Sequence, residues 1–415
     1  MNTTLIIITS AFPFQKGEEF LLQETEYYSC FDEVIIIPIA ATDFSQRKNI
    51  SDDIKVHKLF SIASDRPVKK SIGCICSLRF KETQEEIRYL KKTNRLTLAA
   101  LKRLLVESNK VKAVSREIYN IVREIYTKHA GNGIVVYSYW MGNHAKIAVD
   151  LKRQLPKIKI VTRCHGGDLY EYRYRFNYIP FRRAILTNED MIFAISDNGK
   201  KYLEENYSGI KAPIVVSRLG TNQKHERLKI DNNNGLNIVS CSYCIPLKRI
   251  HLIIQALSGI TEKGITWTHI GNGREYENLK NLAEQSIPSN VKFNFLGYVE
   301  NAKVQKLYSS GIFNLFVNVS ETEGIPVSII EAMSYGLPII ATDVGGVSEM
   351  VEDERNGYLL PKDFDVLSLK HLFIKMLQTD NEDYQAMSER SHKIWKGKFH
   401  AKKNYTEFVK ILKEL

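Results

Sequence analysis

Short apolar runs alternate with helix-length segments along this chain, and the alternation occurs twice. The runs in the first half are residues 5–8, 34–37, 134–137, 158–162 and 191–195, and those in the second half are 237–241, 266–270, 291–295, 315–319 and 338–342. Short continuous apolar runs are typical of strands buried on both faces of a parallel sheet, whose crossover connections are helices. The sequence therefore predicts an α/β protein that contains two doubly wound units.

The length of the chain also favours two domains. Single hydrophobic cores stop growing at about 250–300 residues, and this chain has 415. Residues 220–236 are polar, rich in turn-forming residues and free of periodicity, which is typical of a linker. We therefore predict an N-terminal Rossmann-like domain at residues 1–220 and a C-terminal one at 221–395, with residues 396–415 returning to the first.

Composition excludes several other classes of protein. Hydrophobic residues make up 44% of the chain and charged residues 25%, which excludes a disordered chain, a collagen and a small disulfide scaffold. No apolar run approaches the ~20 residues that a membrane-spanning helix needs. The N-terminus lacks the pattern of a secretory signal, and six cysteines in this length fit a reducing compartment, so we expect a cytoplasmic protein.

The excess of positive charge lies entirely in the first half of the chain. Residues 1–220 contain 35 Lys and Arg against 24 Asp and Glu, whereas residues 221–415 contain 23 of each. The basic side chains are densest at residues 66–123, where the pattern predicts helices at 82–105 and 112–128. This distribution indicates an anionic partner for the N-terminal half, or else only a solvated helix face.

Two glutamates follow the fourth apolar run of the second half. Glu323 and Glu331 are eight residues apart, and Pro326 lies between them at a position where a helix commonly starts. The backbone amides of such a helix start, including those of Gly324 and Ile325, would offer hydrogen-bond donors to an anionic ligand. The spacing alone is more typical of an ordinary surface pair, so a functional interpretation depends on the surrounding sequence.

The surrounding sequence resembles a known family. Residues 320–349, followed by Asn356 and Gly357, are similar to the signature of glycosyltransferase family 4, whose members are retaining enzymes of the GT-B fold. Further similar segments are residues 238–257, 270–274 and 291–299 in the second half, and 10–17 and 163–168 in the first. The resemblance covers nearly the whole chain and is to the bacterial surface-polysaccharide type of the family.

The resemblance implies a fold and an activity. The fold would be GT-B, with two facing Rossmann-like domains, a cleft between them and a C-terminal helix that packs back on the N-terminal domain. The activity would be transfer of a hexose from a UDP- or GDP-sugar to a lipid-linked or growing glycan acceptor, with retention of configuration, in capsule, exopolysaccharide or lipopolysaccharide synthesis. No cofactor and no metal ion are expected, because a lysine and a helix start would bind the diphosphate.

The resemblance also implies roles for individual residues. Glu331 would bind the ribose of the nucleotide, Lys248 the diphosphate, and Glu323 the hydroxyls of the transferred sugar. His165 would lie near the reacting carbon and is, with Glu323, a predicted catalytic residue. The other predicted donor-binding residues are Gly17 in the first loop, Tyr298 and Val299 beside the base, and Gly324, Ile325 and Pro326 at the helix start.

One position departs from the family pattern. In the family an arginine usually stands five residues before the lysine, and here that position is Tyr243. We expect Arg249, next to Lys248, either to replace this phosphate contact or to turn away on a helix face. Two alternatives stay open: a sugar-nucleotide epimerase or phosphorylase on the same fold, and a non-catalytic binding protein, for which Tyr243 is the only indication.

The basic stretch at residues 66–123 also contains apolar side chains, among them Leu78, Leu90, Leu98 and Leu104. A basic helix with apolar residues can lie at the surface of an anionic membrane. This location would bring the enzyme to an acceptor that is anchored by a lipid diphosphate. We therefore predict peripheral association with the inner face of the cytoplasmic membrane, and no nucleic-acid partner.

Overall fold

The computed structural model describes residues 3–15, 17–60, 76–174, 176–228 and 235–415. The chain divides into two compact units. Met1–Ser217 and Tyr405–Leu415 form the N-terminal unit, and Arg218–Asn404 form the C-terminal unit. The expected boundaries were residues 220 and 396. Residues 229–234 of the expected linker lie outside the described part of the chain.

Backbone hydrogen bonds explain why the chain returns to the N-terminal unit only at Tyr405. Thr221 N donates to Phe399 O at 3.0 Å, and Ala401 N donates to Thr221 O at 3.2 Å. Asn404 Nδ2 donates to Leu219 O at 3.1 Å. Residues 399–404 are therefore bound to the start of the C-terminal unit.

The N-terminal unit is built on a parallel sheet of seven strands in the order β3-β2-β1-β4-β5-β6-β7. The strands are β1 (Thr4–Thr9), β2 (Glu33–Pro38), β3 (Ile54–Val56), β4 (Ile134–Ser138), β5 (Lys159–Cys164), β6 (Met191–Ala194) and β7 (Ile214–Val216). The helices are α1 (Leu21–Thr25), α2 (Lys81–Lys92), α3 (Leu98–Lys128), α4 (Asn143–Gln154), α5 (Gly166–Leu169), α6 (Arg182–Asn188) and α7 (Asp197–Asn206).

The C-terminal unit has a parallel sheet of six strands in the order β10-β9-β8-β11-β12-β13. The strands are β8 (Leu236–Cys241), β9 (Ile265–Ile270), β10 (Val291–Phe295), β11 (Leu315–Asn318), β12 (Ile339–Thr342) and β13 (Gly357–Leu360). The helices are α8 (Ile250–Ser258), α9 (Tyr276–Ser286), α10 (Asn301–Ser309), α11 (Val327–Ser334), α12 (Val366–Gln378), α13 (Asn381–Lys398) and α14 (Ala401–Glu414), and the N-terminal unit begins again within α14. The predicted α/β class with two Rossmann-like units is confirmed.

Both faces of the first sheet are covered, which explains the continuous apolar runs in its strands. On one face, Ile6 and Ile8 belong to a core cluster with residues of α3 and α4. On the other face, Leu5 and Ile7 share a cluster with Phe408 of α14. The C-terminal part of α14 is therefore part of the N-terminal core, as the predicted fold requires.

The basic segment forms helices with other bounds than predicted. The break lies at residues 93–97, where Asn94 has a φ of 55°, and Thr97 Oγ1 accepts a bond from Ala100 N that caps α3. Leu90 and Leu104 are fully buried and belong to a core cluster, whereas Leu98 is 88% exposed. Residues 66–75 of the predicted basic surface lie outside the described part of the chain.

In each sheet the strand order reverses once, between β1 and β4 in the first and between β8 and β11 in the second. Ligands of such sheets bind beyond the carboxyl ends of the strands at this switch point. The loops after β1, β4, β8 and β11 are therefore the places to look for functional side chains. None of the described helices is long and apolar enough to cross a bilayer.

Candidate active site

Two predicted site residues meet at the switch point of the C-terminal unit. Lys248 lies in the loop after β8 and Glu323 in the loop after β11. Lys248 Nζ donates to Glu323 Oε1 at 2.6 Å, and the two side chains are 19% and 11% exposed. Asn318 Nδ2, at the end of β11, donates to the same oxygen at 3.4 Å. The fold therefore places the cation and the carboxylate where a ligand would bind.

The loop that carries Glu323 is held by a second loop. Gly345 has a φ of 60°, and a Cβ at this position would lie 2.0 Å from Glu323 O, so only glycine fits. Gly346 N donates to Gly324 O at 2.8 Å. Ile325 is buried. Pro326 was expected in the first turn of the helix, but it directly precedes Val327, the first residue of α11.

Glu331, on α11, is 8% exposed. Asn301 Nδ2 donates to Glu331 Oε1 at 2.7 Å, and Gln305, one turn further along α10, also donates to this carboxylate. Burial raises the pKa of Glu331, and the two amide donors oppose this shift because they stabilise the charged form. The sequence analysis missed Asn301 and Gln305, although their spacing of four residues in a helix indicates one shared face.

The charges of Lys248 and Glu331 both act on the pKa of Cys241, at the end of β8. Burial raises the pKa of the Cys241 thiol to about 12, with a further upward contribution from Glu331 and a downward one from Lys248. Both charged groups therefore lie within electrostatic range of one buried thiol. The predicted ribose-binding and diphosphate-binding residues thus belong to one neighbourhood.

Arg249 makes contacts that do not favour its predicted role as a phosphate ligand. Its Nε donates to Val319 O at 2.7 Å, its Nη1 to Lys362 O at 2.8 Å and its Nη2 to Ser320 O at 3.3 Å. Each guanidinium nitrogen is therefore engaged with a backbone carbonyl. Arg249 therefore holds the loop before Glu323 in place, and its replacement of the phosphate contact missing at Tyr243 stays a prediction.

The loops beyond β8, β9 and β10 lie side by side. Ser242 N donates to Ile270 O at 3.0 Å, and Gly271 N donates to Gly297 O at 2.8 Å. A Cβ on Gly271 would lie 1.8 Å from Ser242 O, so this close approach requires glycine. Tyr298 follows on this edge and is 62% exposed, and Val299 is half-buried. Their predicted contact with a base stays a prediction.

A buried carboxylate organises the switch point of the N-terminal unit. Glu18 is 2% exposed. Its Oε1 accepts from Ser10 N and Trp140 Nε1, both at 2.7 Å. Its Oε2 accepts from Ala11 N at 2.8 Å and from Phe12 N at 2.9 Å. One side chain therefore joins the loop after β1 to the loop after β4. Sequence reasoning missed it because the indole lies 122 residues away.

His165 lies directly beyond β5 and is 6% exposed. Its ring is 4.6 Å from the rings of both Tyr139 and Trp140, and neither ring nitrogen has a hydrogen-bond partner. Burial, with the charge of Arg163 as a further cause, lowers the pKa of His165 well below its usual value. The imidazole is therefore neutral at pH 7 and can exchange hydrogen bonds with a ligand hydroxyl.

Gly17 precedes Glu18 and has a φ of 115°. This backbone conformation explains the glycine by itself, since a Cβ would meet no atom within 4 Å. Gly17 N donates to both carboxylate oxygens of Glu19 at 3.0 Å. The predicted approach of a diphosphate to Gly17 stays a prediction.

The described residues contain no group of three or more His, Cys, Asp and Glu side chains that could hold a metal ion. One Asp-x-Asp triplet, residues 363–365, occurs in the sequence. Asp365 Oδ1 accepts from Leu367 N at 3.1 Å and so caps helix α12. Asp365 therefore has a structural role at the start of α12.

Comparisons with known proteins bear on the family and on the fold. Residues 222–394 match the family described as "Glycosyl transferases group 1". The putative colanic acid biosynthesis glycosyltransferase WcaL of Escherichia coli K12 is 25% identical over 265 residues, which are 62% of this chain and 64% of that protein. The chain thus spans less than two thirds of the length of this relative.

Solved structures share the fold over the full length. Sucrose-phosphate synthase from Thermosynechococcus elongatus matches with a TM-score of 0.70 at 15% identity, covering 99% of this chain and 98% of that one. HepE from Anabaena, in complex with UDP-glucose, matches with a TM-score of 0.67 at 14% identity, covering 99% and 100%. The two sheets and these structures define a two-domain α/β protein of the GT-B fold. The match of residues 222–394 to the family of group 1 glycosyl transferases agrees with the predicted resemblance to a glycosyltransferase family.

Proposed function

We propose that the protein is a retaining hexosyltransferase that uses a nucleotide-sugar donor and a lipid-linked or growing glycan acceptor in the synthesis of a bacterial surface polysaccharide. The contact between Lys248 and Glu323 at the switch point of a group 1 domain carries this proposal. The name of the colanic acid relative supports the polysaccharide. The UDP-glucose complex of HepE supports a nucleotide-sugar donor.

The residues of the C-terminal unit supply distinct parts of the chemistry. The departing nucleoside diphosphate gains negative charge in the transition state, and the ammonium group of Lys248 stabilises that charge. Glu323 accepts hydrogen bonds from hydroxyls of the transferred sugar. Glu331 accepts those of the ribose, with Asn301 orienting its carboxylate. In the N-terminal unit, the neutral His165 hydrogen-bonds a hydroxyl with one of its unpartnered ring nitrogens.

Donor hydrolysis tests the activity and its stereochemistry together. The full chain is incubated with UDP-, GDP- and ADP-sugars without acceptor, and the released sugar is followed by proton NMR before it mutarotates. We expect one donor class to be hydrolysed slowly, and the released sugar to have the anomeric configuration of the donor. Release of the opposite anomer would contradict retention. Conversion of the donor to an epimer or to a sugar phosphate would favour the alternative enzymes.

We expect the activity to be independent of divalent metal ions. Lys248 and the amides at the start of α11 offer the diphosphate a positive charge and hydrogen-bond donors. The measurement is the rate of donor hydrolysis after dialysis against EDTA, with and without added Mn²⁺. Complete loss of activity on chelation, restored by Mn²⁺, would contradict the expectation.

Peripheral association with an anionic membrane is a further part of the proposal. Helix α3 exposes the basic side chains of Lys102, Lys110, Lys112, Arg116 and Arg123, and Leu98 at its start is 88% exposed. Each basic residue near an anionic surface contributes about 1 kcal/mol of binding free energy. We expect the protein to sediment with vesicles that contain phosphatidylglycerol, and to be released by high salt.

A pair of charge reversals makes this test specific. The variant Lys102→Glu/Arg116→Glu removes two exposed cations of α3, whereas the control Lys201→Glu/Lys211→Glu changes the same charge elsewhere on the N-terminal unit. We expect the first variant to lose most of the vesicle binding and the control to keep it. Equal loss in both variants would show that vesicle binding depends on net charge and not on the surface of α3.

A further inference from the structure

The ion pair between Lys248 and Glu323 affects which ligands the proposed donor site prefers. The 2.6 Å contact between Lys248 Nζ and Glu323 Oε1 places a fixed negative charge directly beside the cation that is proposed to bind phosphate. One positive and one negative charge cancel, so this point of the site is close to neutral. A diphosphate that approaches Lys248 therefore also approaches a carboxylate.

The backbones on both sides of this pair are fixed. Lys248 N donates to Ile245 O at 3.0 Å, and Glu321 N donates to Leu247 O at 2.9 Å, which joins the two loops. Arg249 adds its three contacts with backbone carbonyls of Val319, Ser320 and Lys362. A ligand therefore meets Lys248 and Glu323 at a set separation and cannot move the carboxylate away by shifting a loop.

The neighbouring cation Arg249 is balanced by other acids. The charges that act most strongly on Arg249 are those of Glu321 and Asp363. Glu321 also pairs with Lys362 at 3.6 Å and is half exposed. Glu323 therefore pairs with Lys248, whereas Glu321 pairs with Lys362 and interacts electrostatically with Arg249.

We propose that Glu323 sets the preference of this site for a sugar-capped diphosphate over a free nucleoside diphosphate. This inference rests on the proposed function. When the sugar is transferred, the bond between its anomeric carbon and the β-phosphate oxygen breaks, and that oxygen keeps the electron pair as an additional negative charge. Glu323 repels this charge, whereas in the intact donor it accepts hydrogen bonds from neutral sugar hydroxyls. The same carboxylate thus favours donor binding and promotes release of the product.

The test is a comparison of two dissociation constants in wild type and Glu323→Gln. UDP, GDP and ADP, each with its glucose ester, are titrated calorimetrically, and the ratio of the constants for free and sugar-capped nucleotide is formed. We expect Glu323→Gln to bind the free nucleotide more tightly and to lower this ratio about tenfold, which corresponds to removal of one like-charge contact. Product inhibition by the free nucleotide should increase in the same variant.

Glu321→Gln is the matched control, since it removes the same charge two residues away on the same loop. We expect it to leave the ratio within about twofold of wild type. A ratio that is unchanged in Glu323→Gln, while Lys248→Met loses nucleotide binding, would overturn this inference and leave the proposed function standing. Absence of nucleotide binding by wild type would overturn both.

Discussion

Replacement of Lys248 by methionine is expected to lower kcat/KM for the nucleotide-sugar about 10²–10³-fold, the range seen when one preorganised donor to a developing negative charge is removed. The change removes the ammonium group that is proposed to stabilise the departing diphosphate. It also leaves Glu323, whose side chain is only 11% exposed, beside the phosphate without its ionic partner. Both effects act in the same direction, because the remaining carboxylate repels the leaving group. The measurement is the initial rate of donor hydrolysis at subsaturating donor.

Lys362→Met is the control for this prediction. Lys362 lies on a neighbouring loop of the same unit, is 51% exposed and pairs with Glu321 rather than with Glu323. Exposed ion pairs contribute little free energy, so we expect the rate of donor hydrolysis by Lys362→Met to stay within about twofold of wild type. A Lys248→Met variant that kept half of the wild-type rate would show that another group neutralises the diphosphate.

Glu18→Gln is expected to destabilise the N-terminal unit by about 3 kcal/mol, because a carboxamide has only one oxygen that can accept hydrogen bonds. Both oxygens of Glu18 accept from two N–H donors each. Whichever way the amide is oriented, its NH₂ faces two donors, and two hydrogen bonds to a charged acceptor are lost. The measurement is urea unfolding of both variant and wild type.

A catalytic readout separates positioning from stability. Trp140 is anchored by Glu18 and packs against His165, so the turnover number of Glu18→Gln should fall at temperatures where the protein is still folded. Its affinity for the nucleotide should fall less than its turnover number, because most of the proposed nucleotide contacts lie in the C-terminal unit. The control is Glu19→Gln, at an adjacent exposed position that contacts Gly17 N, where we expect a loss within about 0.5 kcal/mol. Equal losses in the two variants would contradict the role of Glu18.

The strands of both sheets were largely predictable, because a strand buried on both faces must be continuously apolar. The exceptions are β3, β7 and β13, which have three or four residues and lie at or near the sheet edges. The three-residue runs of β3 and β7 carry too few apolar positions to be distinguished from a loop. The bounds of α2 and α3 were also wrong, since a single cap by Thr97, rather than the hydrophobic periodicity, determines where α3 begins.

The site was predictable only where a local segment carries it. Glu323 and Glu331 lie in one motif, and their family resemblance indicated their importance. The side chains that orient them come from elsewhere: Asn301 is 30 residues from Glu331, and Lys248 is 75 residues from Glu323. The backbone contacts of Arg249 were not predicted for the same reason, because its carbonyl partners lie up to 113 residues away. Such contacts follow from the fold and have no signal in the neighbouring sequence.

Calorimetric titration of UDP, GDP and ADP into the full chain tests the donor site most directly, in wild type, Lys248→Met and Glu331→Ala. Binding requires no acceptor and no turnover, so it reports on the predicted contacts in the ground state. We expect wild type to bind one of the three nucleotides and each variant to lose about tenfold or more of that affinity, since Lys248 is proposed to contact the diphosphate and Glu331 the ribose. Unchanged affinity in both variants would contradict the assignment of the site.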